Sequence, residues 1–258
     1  MTDEIAHLDL AGGVGTITLD SPSNRNALSR RLVADLDRQL TAALADPAVR
    51  VIVLTGTGSA FCSGADLKER RPPEPTASSR PGGIVPILAA MWEAPKPIIG
   101  RINGAARAGG LGLVAACDIA VAEASATFAF SEVRVGVIPA VIAVVVVPKI
   151  GATRAMELFL TGDPFDAGAA AAWGLLNAVA ADGHLDELVD RYVRSVLKGA
   201  PGALAGCKRL VRDVPTLSMP AAFAEMAERS ARFFASAEAR EGMRAFAEKR
   251  PPRWTVEG

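Results

Sequence analysis

Apolar and polar residues alternate over residues 5–10 and 14–19, on either side of Ala11-Gly12-Gly13. Two alternating runs around a glycine turn predict a β-hairpin. Ser29 follows, and after it leucine recurs at every fourth position, at Leu32, Leu36, Leu40 and Leu44. That spacing puts the leucines on one face of a helix, and we expect the Ser29 side chain to cap its first turn.

Farther along the chain, short apolar runs alternate with helical patterns. The runs that predict buried strands are residues 50–55, 97–102 and 118–122. Strands and helices in alternation favour a largely parallel sheet with right-handed crossovers. Asp118 is expected to tie down loop backbone where the third of these strands begins. The segment 71–83, rich in Pro and Ser, is the best candidate for a mobile loop.

After about Gly162 the pattern becomes helical, with little strand signal. The helical windows are residues 166–173, 184–197, 202–211, 221–234 and 238–248. We therefore expect an α/β core over residues 1–195 and a C-terminal helical region over residues 196–258.

The charge of the chain is balanced. Among 258 residues, Lys and Arg together number 28, as do Asp and Glu, so the formal net charge is zero. Nucleic-acid binding depends on clustered positive charge, so we expect no nucleic-acid partner. The N-terminus lacks the pattern of a signal peptide, and the apolar run 141–147 is far too short to span a membrane. We expect a soluble, cytoplasmic protein with no membrane partner.

Residues that carry metal or nucleophilic chemistry are sparse. Three widely spaced cysteines, Cys62, Cys117 and Cys207, lie in apolar runs and are predicted to be reduced core residues. His7 falls in a strand pattern and His184 begins a helix, so we interpret both as surface or capping residues. A Ser-His-Asp triad or a histidine metal site is therefore not expected, and Cys62 has no histidine base.

The most informative stretch is NGAARAGGLGLVAACD, residues 103–118, a glycine-rich turn that leads directly into an apolar helix. A helix start presents unpaired N–H groups and a partial positive charge. Glu132 follows in an apolar setting, where burial raises the pKa of a carboxyl group toward the range useful for moving protons. These features predict a site that binds an oxyanion while one carboxyl group transfers a proton. Pairing of Glu132 with Arg134, or a role as a backbone cap, is the alternative.

The same turn also matches a dinucleotide-binding pattern at Gly110. Its context argues against that function, because Asp118 begins the next strand six residues after Gly112. That distance leaves no room for the crossover helix of a dinucleotide-binding unit.

Several motifs occur in the order found in one enzyme superfamily. They are RNALS (25–29), SGADLKE (63–69), KPIIGRINGAARAGG (96–110), AACDIAVA (115–122), FSEVRVGVIP (130–139), LTG (160–162) and GMRAFAEKR (242–250). Over nearly its whole length the chain resembles the crotonase, or enoyl-CoA hydratase/isomerase, superfamily. The resemblance implies an α/β fold, a crotonase-like spiral of ββα units with a C-terminal helical trimerisation region, and a homotrimer or a dimer of trimers. It also implies an acyl-CoA thioester partner, with coenzyme A as part of the substrate and no separate cofactor.

The resemblance further implies roles for individual residues. The oxyanion hole would consist of the backbone N–H groups of Ala65 and Gly109, and Glu132 would be the catalytic acid/base. Positions that match substrate-binding or CoA-binding segments are Arg25, Ala27, Leu28, Ser63, Asp66, Leu67, Lys68, Gly110, Pro139, Phe246 and Lys249. Glycine permits close backbone approach and a helix start supplies positive potential, so the physical setting suits an oxyanion hole. For Lys68, a solvated charge run is the alternative to contact with an anionic ligand.

The chain departs from the family pattern in three places. Gly112 stands where hydratases of the family commonly have a first glutamate, Ala108 stands where glycine is frequent, and AVIAVVVV follows Pro139 in place of a glycine-rich continuation. We favour an enoyl-CoA hydratase that uses Glu132 alone. The alternatives are a Δ3,Δ2-enoyl-CoA isomerase that uses the same residue and a catalytically weak acyl-CoA-binding or assembly subunit.

The combination of GLGLVAACD with SEVRVGVIPAVI resembles the bacterial group assigned to hydration of methylglutaconyl-CoA and related branched thioesters. Those substrates carry a second carboxylate, so we expect a cation near the acyl group. Arg107, two residues before Gly109, is the candidate; the alternative is that it faces solvent or the trimer interface.

Overall fold

A computed structural model of the chain describes residues 4–66, 68–69 and 83–255. Leu67 and residues 71–82 of the predicted mobile loop lie outside the described residues.

The larger sheet carries the predicted strands. Its order is β1-β2-β3-β5-β7-β10, with β1 antiparallel to β2 and the remaining neighbours parallel. The strands are β1 (Ala6–Ala11), β2 (Val14–Leu19), β3 (Val51–Gly56), β5 (Ile98–Ile102), β7 (Ile119–Glu123) and β10 (Ala178–Ala180). The predicted hairpin and the largely parallel sheet are confirmed.

The sequence pattern does not predict the second, smaller sheet. Its order is β4 (Ala60–Cys62), β6 (Ala105–Arg107), β8 (Thr127–Ala129) and β9 (Phe165–Asp166). β4, β6 and β8 are mutually parallel, and β9 is antiparallel to β8. Strands of two or three residues are too short for alternation to reveal them.

The described helices are α1 (Arg30–Ala45), α2 (Ile84–Glu93), α3 (Gly109–Ala116), α4 (Ala140–Thr161), α5 (Ala167–Ala172), α6 (Leu185–Leu197), α7 (Pro201–Asp213), α8 (Met219–Phe234) and α9 (Ala237–Ala247). They include α1, α3 and the five predicted C-terminal windows, whereas α2 and α4 were not predicted. Ser29 caps α1 as predicted, because its Oγ accepts a hydrogen bond from the Leu32 N–H at 3.2 Å. The apolar run after Pro139 forms the first half of α4. In the described part of the chain, every helix is too short or too polar to cross a membrane.

Apolar residues cover both faces of the larger sheet. One face packs on the main core, which includes the predicted leucine stripe of α1. The other face, with Val51, Val53 and Ile99, packs against Leu185 and Val189 of α6. Burial on both faces explains why β3 is continuously apolar from Val51 to Leu54, whereas β1 and β2 at one edge of the sheet alternate. The domain division stays a prediction; its boundary at residues 195 and 196 falls in the last turn of α6.

Asp118 ties the C-terminal helices to the core. Its Oδ2 accepts a hydrogen bond from the Ile98 N–H at 2.8 Å and lies 2.5 Å from the Lys208 Nζ of α7. The prediction that Asp118 fixes backbone at a strand start is therefore confirmed, although the backbone it holds begins β5. The cysteine prediction is correct for buried Cys62 and Cys117 and wrong for Cys207, which is exposed because α7 turns that side to solvent.

Candidate active site

Three adjacent parallel strands deliver the predicted catalytic groups. The chain continues from β4 into residues 63–66, from β6 into the turn at Ala108, and from β8 into a short 3₁₀ helix. This 3₁₀ helix, Ser131–Val135, contains Glu132 and is called the Glu132 turn. Because parallel neighbours lie only about 4.8 Å apart, their carboxyl ends place all three segments side by side. A hydrogen bond of 3.1 Å from the Ala108 N–H to the Ala129 carbonyl joins two of them.

The Ala65 segment is held from both sides. The Ser63 N–H donates to the Arg25 carbonyl at 3.0 Å, and the Leu28 N–H donates to the Gly64 carbonyl at 2.7 Å. Gly64 has φ +84°, and an ideal Cβ placed on it would lie 2.8 Å from the Arg107 carbonyl oxygen. Only glycine fits this close approach, which brings the loop after β4 against the turn after β6.

Gly109 is the first residue of α3 and has no neighbouring helical turn to accept its N–H. Ala108, which precedes it, adopts φ 47° and ψ −119°, a strained conformation for a residue with a side chain. Within the described residues, no hydrogen bond joins the N–H of Ala65 or Gly109 to a protein acceptor. Both N–H groups are therefore free donors, one in the loop after β4 and the other in the adjoining turn after β6.

Glu132 is half-buried, and its Oε2 is shielded from solvent with no hydrogen-bond partner in the described part of the chain. Burial raises the pKa of the carboxyl group, an effect partly offset by a hydrogen bond from its own backbone N–H. Arg134 is not its partner, because that guanidinium binds Thr161 and Asp163 instead. A carboxyl group with an oxygen that is shielded from solvent and has no protein partner is suited to proton transfer.

Gly112 lies in α3, under the first turns of α4. An ideal Cβ on Gly112 would lie 2.5 Å from Ile142 Cγ2 and 3.4 Å from Leu88 Cδ1. The space next to this position is therefore filled by hydrocarbon. Of the carboxylates that follow the strand ends, Asp66 accepts a backbone N–H, whereas Glu132 Oε2 has no partner among the described residues.

The predicted CoA-binding segments come together as two interlocked loops, residues 21–29 and the described residues of 63–69 (63–66 and 68–69). Asp66 Oδ1 accepts a hydrogen bond from the Lys68 N–H at 2.9 Å, and Ser63 Oγ donates to the Asn24 carbonyl at 3.2 Å. Arg25 and Lys68 are exposed, whereas Ala27 is buried. Hydrogen bonds between the two loops thus fix their shape without a ligand.

Asn26, which the sequence reasoning missed, holds these loops together. It is completely buried; its Oδ1 accepts from the Ser21 N–H at 2.8 Å, and its Nδ2 donates to the Thr57 and Ala60 carbonyls at 3.0 and 2.9 Å. The sequence around Asn26, SPSNRNALS, is polar and does not predict burial, so the role of this amide becomes visible only from its partners in the fold.

The Arg107 side chain is bound to β8 within its own chain. Its guanidinium donates to the Thr127 carbonyl, to Thr127 Oγ1 at 2.8 Å and to the Ala106 carbonyl at 2.9 Å. Thr127 begins β8, two residues or roughly 6–7 Å before the end that leads to Glu132. The side chain therefore turns back along the small sheet, away from the expected acyl group, where burial lowers the pKa of the guanidinium.

The remaining predicted residues separate into two groups. Gly110 and Pro139 lie at the starts of α3 and α4, next to the strand ends. Phe246, 87% exposed, and Lys249 lie at the end of α9, and no contact among the described residues links either to the strand ends. The segment after α9 packs near the start of β3, where Arg50 donates to the Trp254 carbonyl at 2.6 Å. Within one chain, the segment after α9 is therefore held beside the amino-terminal end of β3.

Cys62 is excluded as a nucleophile by its surroundings. Its side chain is fully buried, and burial raises the pKa of the thiol to about 12. His7 and His184 pair with Asp20 and Glu187 at 3.2 and 3.1 Å, far from Cys62 in the fold, as their predicted surface roles require.

The sequence and the fold both match known proteins. A family described as enoyl-CoA hydratase/isomerase matches residues 9–257. A Thermus thermophilus protein provisionally named an enoyl-CoA hydratase is 36% identical over 247 residues, which cover 94% of this chain and 98% of that protein. The (E)-benzylidenesuccinyl-CoA hydratase of Thauera aromatica is 34% identical over 216 residues, which cover 81% of this chain and 83% of that enzyme.

Among solved structures, an enoyl-CoA hydratase from Mycobacterium smegmatis is 33% identical and has a TM-score of 0.88, covering 98% of this chain and 99% of that chain. The match in sequence and fold along nearly the full length agrees with the order of motifs and with the arrangement of the three strand ends. The chain therefore belongs to the enoyl-CoA hydratase/isomerase family, within the crotonase superfamily, and is an enzyme of that family.

Proposed function

We propose that this enzyme is an enoyl-CoA hydratase that adds water to a 2-enoyl-CoA thioester with Glu132 as its acid/base. The observation that carries the proposal is the buried, unpartnered Oε2 of Glu132, which follows β8 directly beside the loops of Ala65 and Gly109. A carboxyl group without a protein partner is free to bind and activate water.

The reaction needs one proton to move twice. Ionised Glu132 takes a proton from water while the water oxygen forms a bond to C3 of the substrate. The π electrons shift toward the thioester, and its oxygen becomes an enolate oxygen that the N–H groups of Ala65 and Gly109 bind. Protonated Glu132 then gives its proton to C2 as the enolate collapses, and the product carries hydroxyl on C3 and hydrogen on C2. Losing one such N–H donor typically costs about 2.7–4 kcal/mol of transition-state stabilisation.

The CoA moiety would lie along the two interlocked loops, residues 21–29 and 63–69. The side chains of Arg25 and Lys68 are exposed and available to its phosphates. Asp66 holds the Lys68 backbone in place, because its carboxylate accepts the Lys68 N–H. Phe246 and Lys249 would reach the nucleotide end of CoA bound to a second copy, because no contact among the described residues links them to the strand ends of their own chain.

A homotrimer or a dimer of trimers is part of this proposal. The support is the exposed apolar surface of α8 and α9, where Phe223, Phe234 and Phe246 are 72%, 70% and 87% exposed. Exposed aromatic patches of this kind mark interaction sites. Light scattering during size-exclusion chromatography should give three or six times the monomer mass; a monomer at micromolar concentration contradicts the proposal.

A Δ3,Δ2-enoyl-CoA isomerase is the second candidate. It is favoured by the packing of Ile142 against Gly112, which puts hydrocarbon rather than a second acid beside residue 112. In that reaction Glu132 removes a proton from C2 of a 3-enoyl-CoA and returns it to C4, so one base is sufficient and no water reacts.

A panel of thioesters distinguishes the candidates. We expect hydration of crotonyl-CoA or of a branched, carboxylated substrate such as methylglutaconyl-CoA. The loss of enoyl absorbance monitors the reaction, and mass spectrometry identifies the product. Conversion of a 3-enoyl-CoA to the 2-enoyl ester without a hydroxyacyl product selects the isomerase. Affinity for CoA esters without turnover of any of them identifies an acyl-CoA-binding or assembly subunit.

Variants of two residues complete the test. Glu132→Gln is expected to abolish nearly all turnover, and substantial residual activity would rule out Glu132 as the base. Arg107→Ala is expected to affect crotonyl-CoA and methylglutaconyl-CoA alike, because the guanidinium faces Thr127. A selective rise in KM for the carboxylated substrate would restore Arg107 as its binding residue.

A further inference from the structure

The Glu132 turn is attached at both ends to the same part of the fold. Before it, the Phe130 ring packs edge-on against Phe159 of α4, with centroids 4.9 Å apart, and lies 5.9 Å from Phe165 of β9. After it, Arg134 Nη2 donates to the Thr161 carbonyl at 3.3 Å and forms an ion pair with Asp163 Oδ1. Glu132 lies between these two attachments.

The second attachment rests on the turn that ends α4. Gly162 adopts φ +62° there, and an ideal Cβ on it would lie 3.1 Å from Arg134 Nε and 3.2 Å from Val133 Cγ1. The guanidinium therefore lies closely over the end of α4. The LTG motif, residues 160–162, is thus the surface that receives Arg134.

Little else fixes the end of the Glu132 turn. Its internal hydrogen bonds are Gly136 N–H to the Val133 carbonyl and Val137 N–H to the Glu132 carbonyl, both 3.2 Å long. Val133, Val135 and Val137 are all substantially exposed, so the segment has no deep apolar anchor beyond Phe130. Among the described residues, Arg134 is the side chain that joins this end of the turn to the body of the protein by hydrogen bonds, beside the contact of Val133 with Gly162.

We propose that Arg134 is a positioning residue for Glu132, which it holds in place through Thr161 and Asp163 without touching the reacting atoms. The proposal rests on the proposed function, since it assigns a role within the same proton transfer. A carboxyl group must be held close to the proton it moves, and a misplacement of about 1 Å can cost on the order of 100-fold in rate.

The ion pair is poorly suited to a purely structural role. Arg134 and Asp163 are 55% and 64% exposed, and exposed ion pairs contribute little to folding stability. Its removal should therefore change the position of Glu132 more than the stability of the protein, and the two effects can be measured separately.

The experiment compares Arg134→Ala, Arg134→Lys, Asp163→Ala and the double Ala variant with the wild-type enzyme. We expect Arg134→Ala and Asp163→Ala each to lower kcat about 10-fold to 100-fold with KM changed less than about threefold. The double variant should be no slower than Arg134→Ala alone, because both changes break one connection. Lys should recover part of the rate, since it retains the charge but not the planar guanidinium. The acidic limb of the pH–rate profile should stay in place.

Arg194→Ala is the matched control. Arg194 pairs with Asp190 on α6 at 4.0 Å, and the two are 68% and 64% exposed, so the variant removes a similar ion pair far from Glu132. Its kinetics should equal those of the wild type.

Hydrogen exchange gives a readout that needs no turnover. The amides of Gly136 and Val137, which close the Glu132 turn, should exchange faster in Arg134→Ala and at the wild-type rate in Arg194→Ala. Wild-type kinetics or wild-type exchange in Arg134→Ala would overturn the positioning role, as would a shifted acidic limb, which indicates a direct charge effect on Glu132. If the wild-type enzyme turned over no thioester while the exchange result held, the proposed function would fail and the attachment by Arg134 would stand.

Discussion

The Ile142 Cγ2 atom of α4 lies 2.5 Å from the point that a Cβ atom on Gly112 of α3 would occupy. No pair of carbon atoms in a folded protein is comfortable at that distance, so the two helices approach as closely as they do because residue 112 has no side chain. The approach also fills with hydrocarbon the space beside position 112, where the resemblance to the family predicts a first glutamate. Position 112 and the β-branched methyl of Ile142 therefore depend on each other.

Gly112→Ala should destabilise the protein by about 1–3 kcal/mol, because overpacking forces shifts in a tight core. The same change should cost much less in an Ile142→Leu background, since leucine removes the methyl branch at Cβ but keeps the volume. Urea unfolding of both single variants and the double variant measures the coupling. Additive effects would show that the helices adjust without regard to Ile142.

Glu132→Gln should increase the free energy of unfolding at neutral pH. Burial raises the pKa of this carboxyl group in the folded state, so the folded protein binds the proton more tightly than the unfolded chain. Stability is therefore lost as pH rises from the ordinary Glu range, about 4.3, through the raised value. Thermal unfolding at several pH values should show the gain from Gln shrinking in acid. A gain independent of pH would mean that Gln acts by some other route.

The same shift predicts the pH dependence of turnover. Because Glu132 must be ionised to accept a proton, the acidic limb of kcat/KM should lie above the ordinary carboxyl range. A limb near the ordinary Glu pKa would show that the group is solvated in the working enzyme.

Gly64→Ala should lower kcat/KM about 100-fold or more, the loss expected when one oxyanion donor is displaced. A methyl group there meets the Arg107 carbonyl at 2.8 Å and separates the Ala65 loop from the Ala108 turn. Gly12→Ala is the control, because Gly12 also has positive φ but no atom within 4 Å of the added Cβ. The control should lose about 1–2 kcal/mol of stability and no catalytic efficiency. Equal kinetics for the two variants would contradict the role given to the close approach.

Asn26→Asp should cost at least about 2 kcal/mol of stability. The change replaces the donor that serves the Thr57 and Ala60 carbonyls with an acceptor in a fully buried site. Asn103→Asp, at an amide that bridges Gly56 and Gly58 nearer the surface, should cost less. Chemical denaturation of the two variants tests the difference, and an equal cost would show that burial of Asn26 matters little.

Ala108→Gly should raise stability by about 1 kcal/mol, since glycine adopts φ 47° and ψ −119° without strain. Ala105→Gly, at an ordinary strand position of the same segment, should lower it. Differential scanning calorimetry distinguishes the two. A lower Tm for Ala108→Gly would show that the Ala side chain contributes packing that outweighs its backbone strain.

Much of the fold is readable from the sequence because its long elements have strong periodicity. The hairpin, the Ser29 cap, the buried strands and the five C-terminal helices all follow from local pattern. Glu132 also stands out locally, as one acid among apolar residues. These features depend on neighbours in sequence, which is why sequence reasoning reaches them.

The rest depends on contacts between distant residues. The small sheet that aligns the three loops has strands of two or three residues, and the partners of Arg107 and Asn26 come from turns that no local pattern identifies. Cys207 shows the converse error, since an apolar sequence context did not mean burial. Ile142 and Gly112 are thirty positions apart in the sequence, so their contact depends on how α3 and α4 pack and not on local pattern.

The groups proposed to act on the thioester follow the strands of the smaller sheet, whereas Ile142, which packs beside Gly112, belongs to α4. Because the two parts are separate elements, a substitution on α4 near Ile142 can change the space beside Gly112 while the strand ends stay as they are. Proteins of this family with differently named substrates are what such a division of the molecule would produce over time.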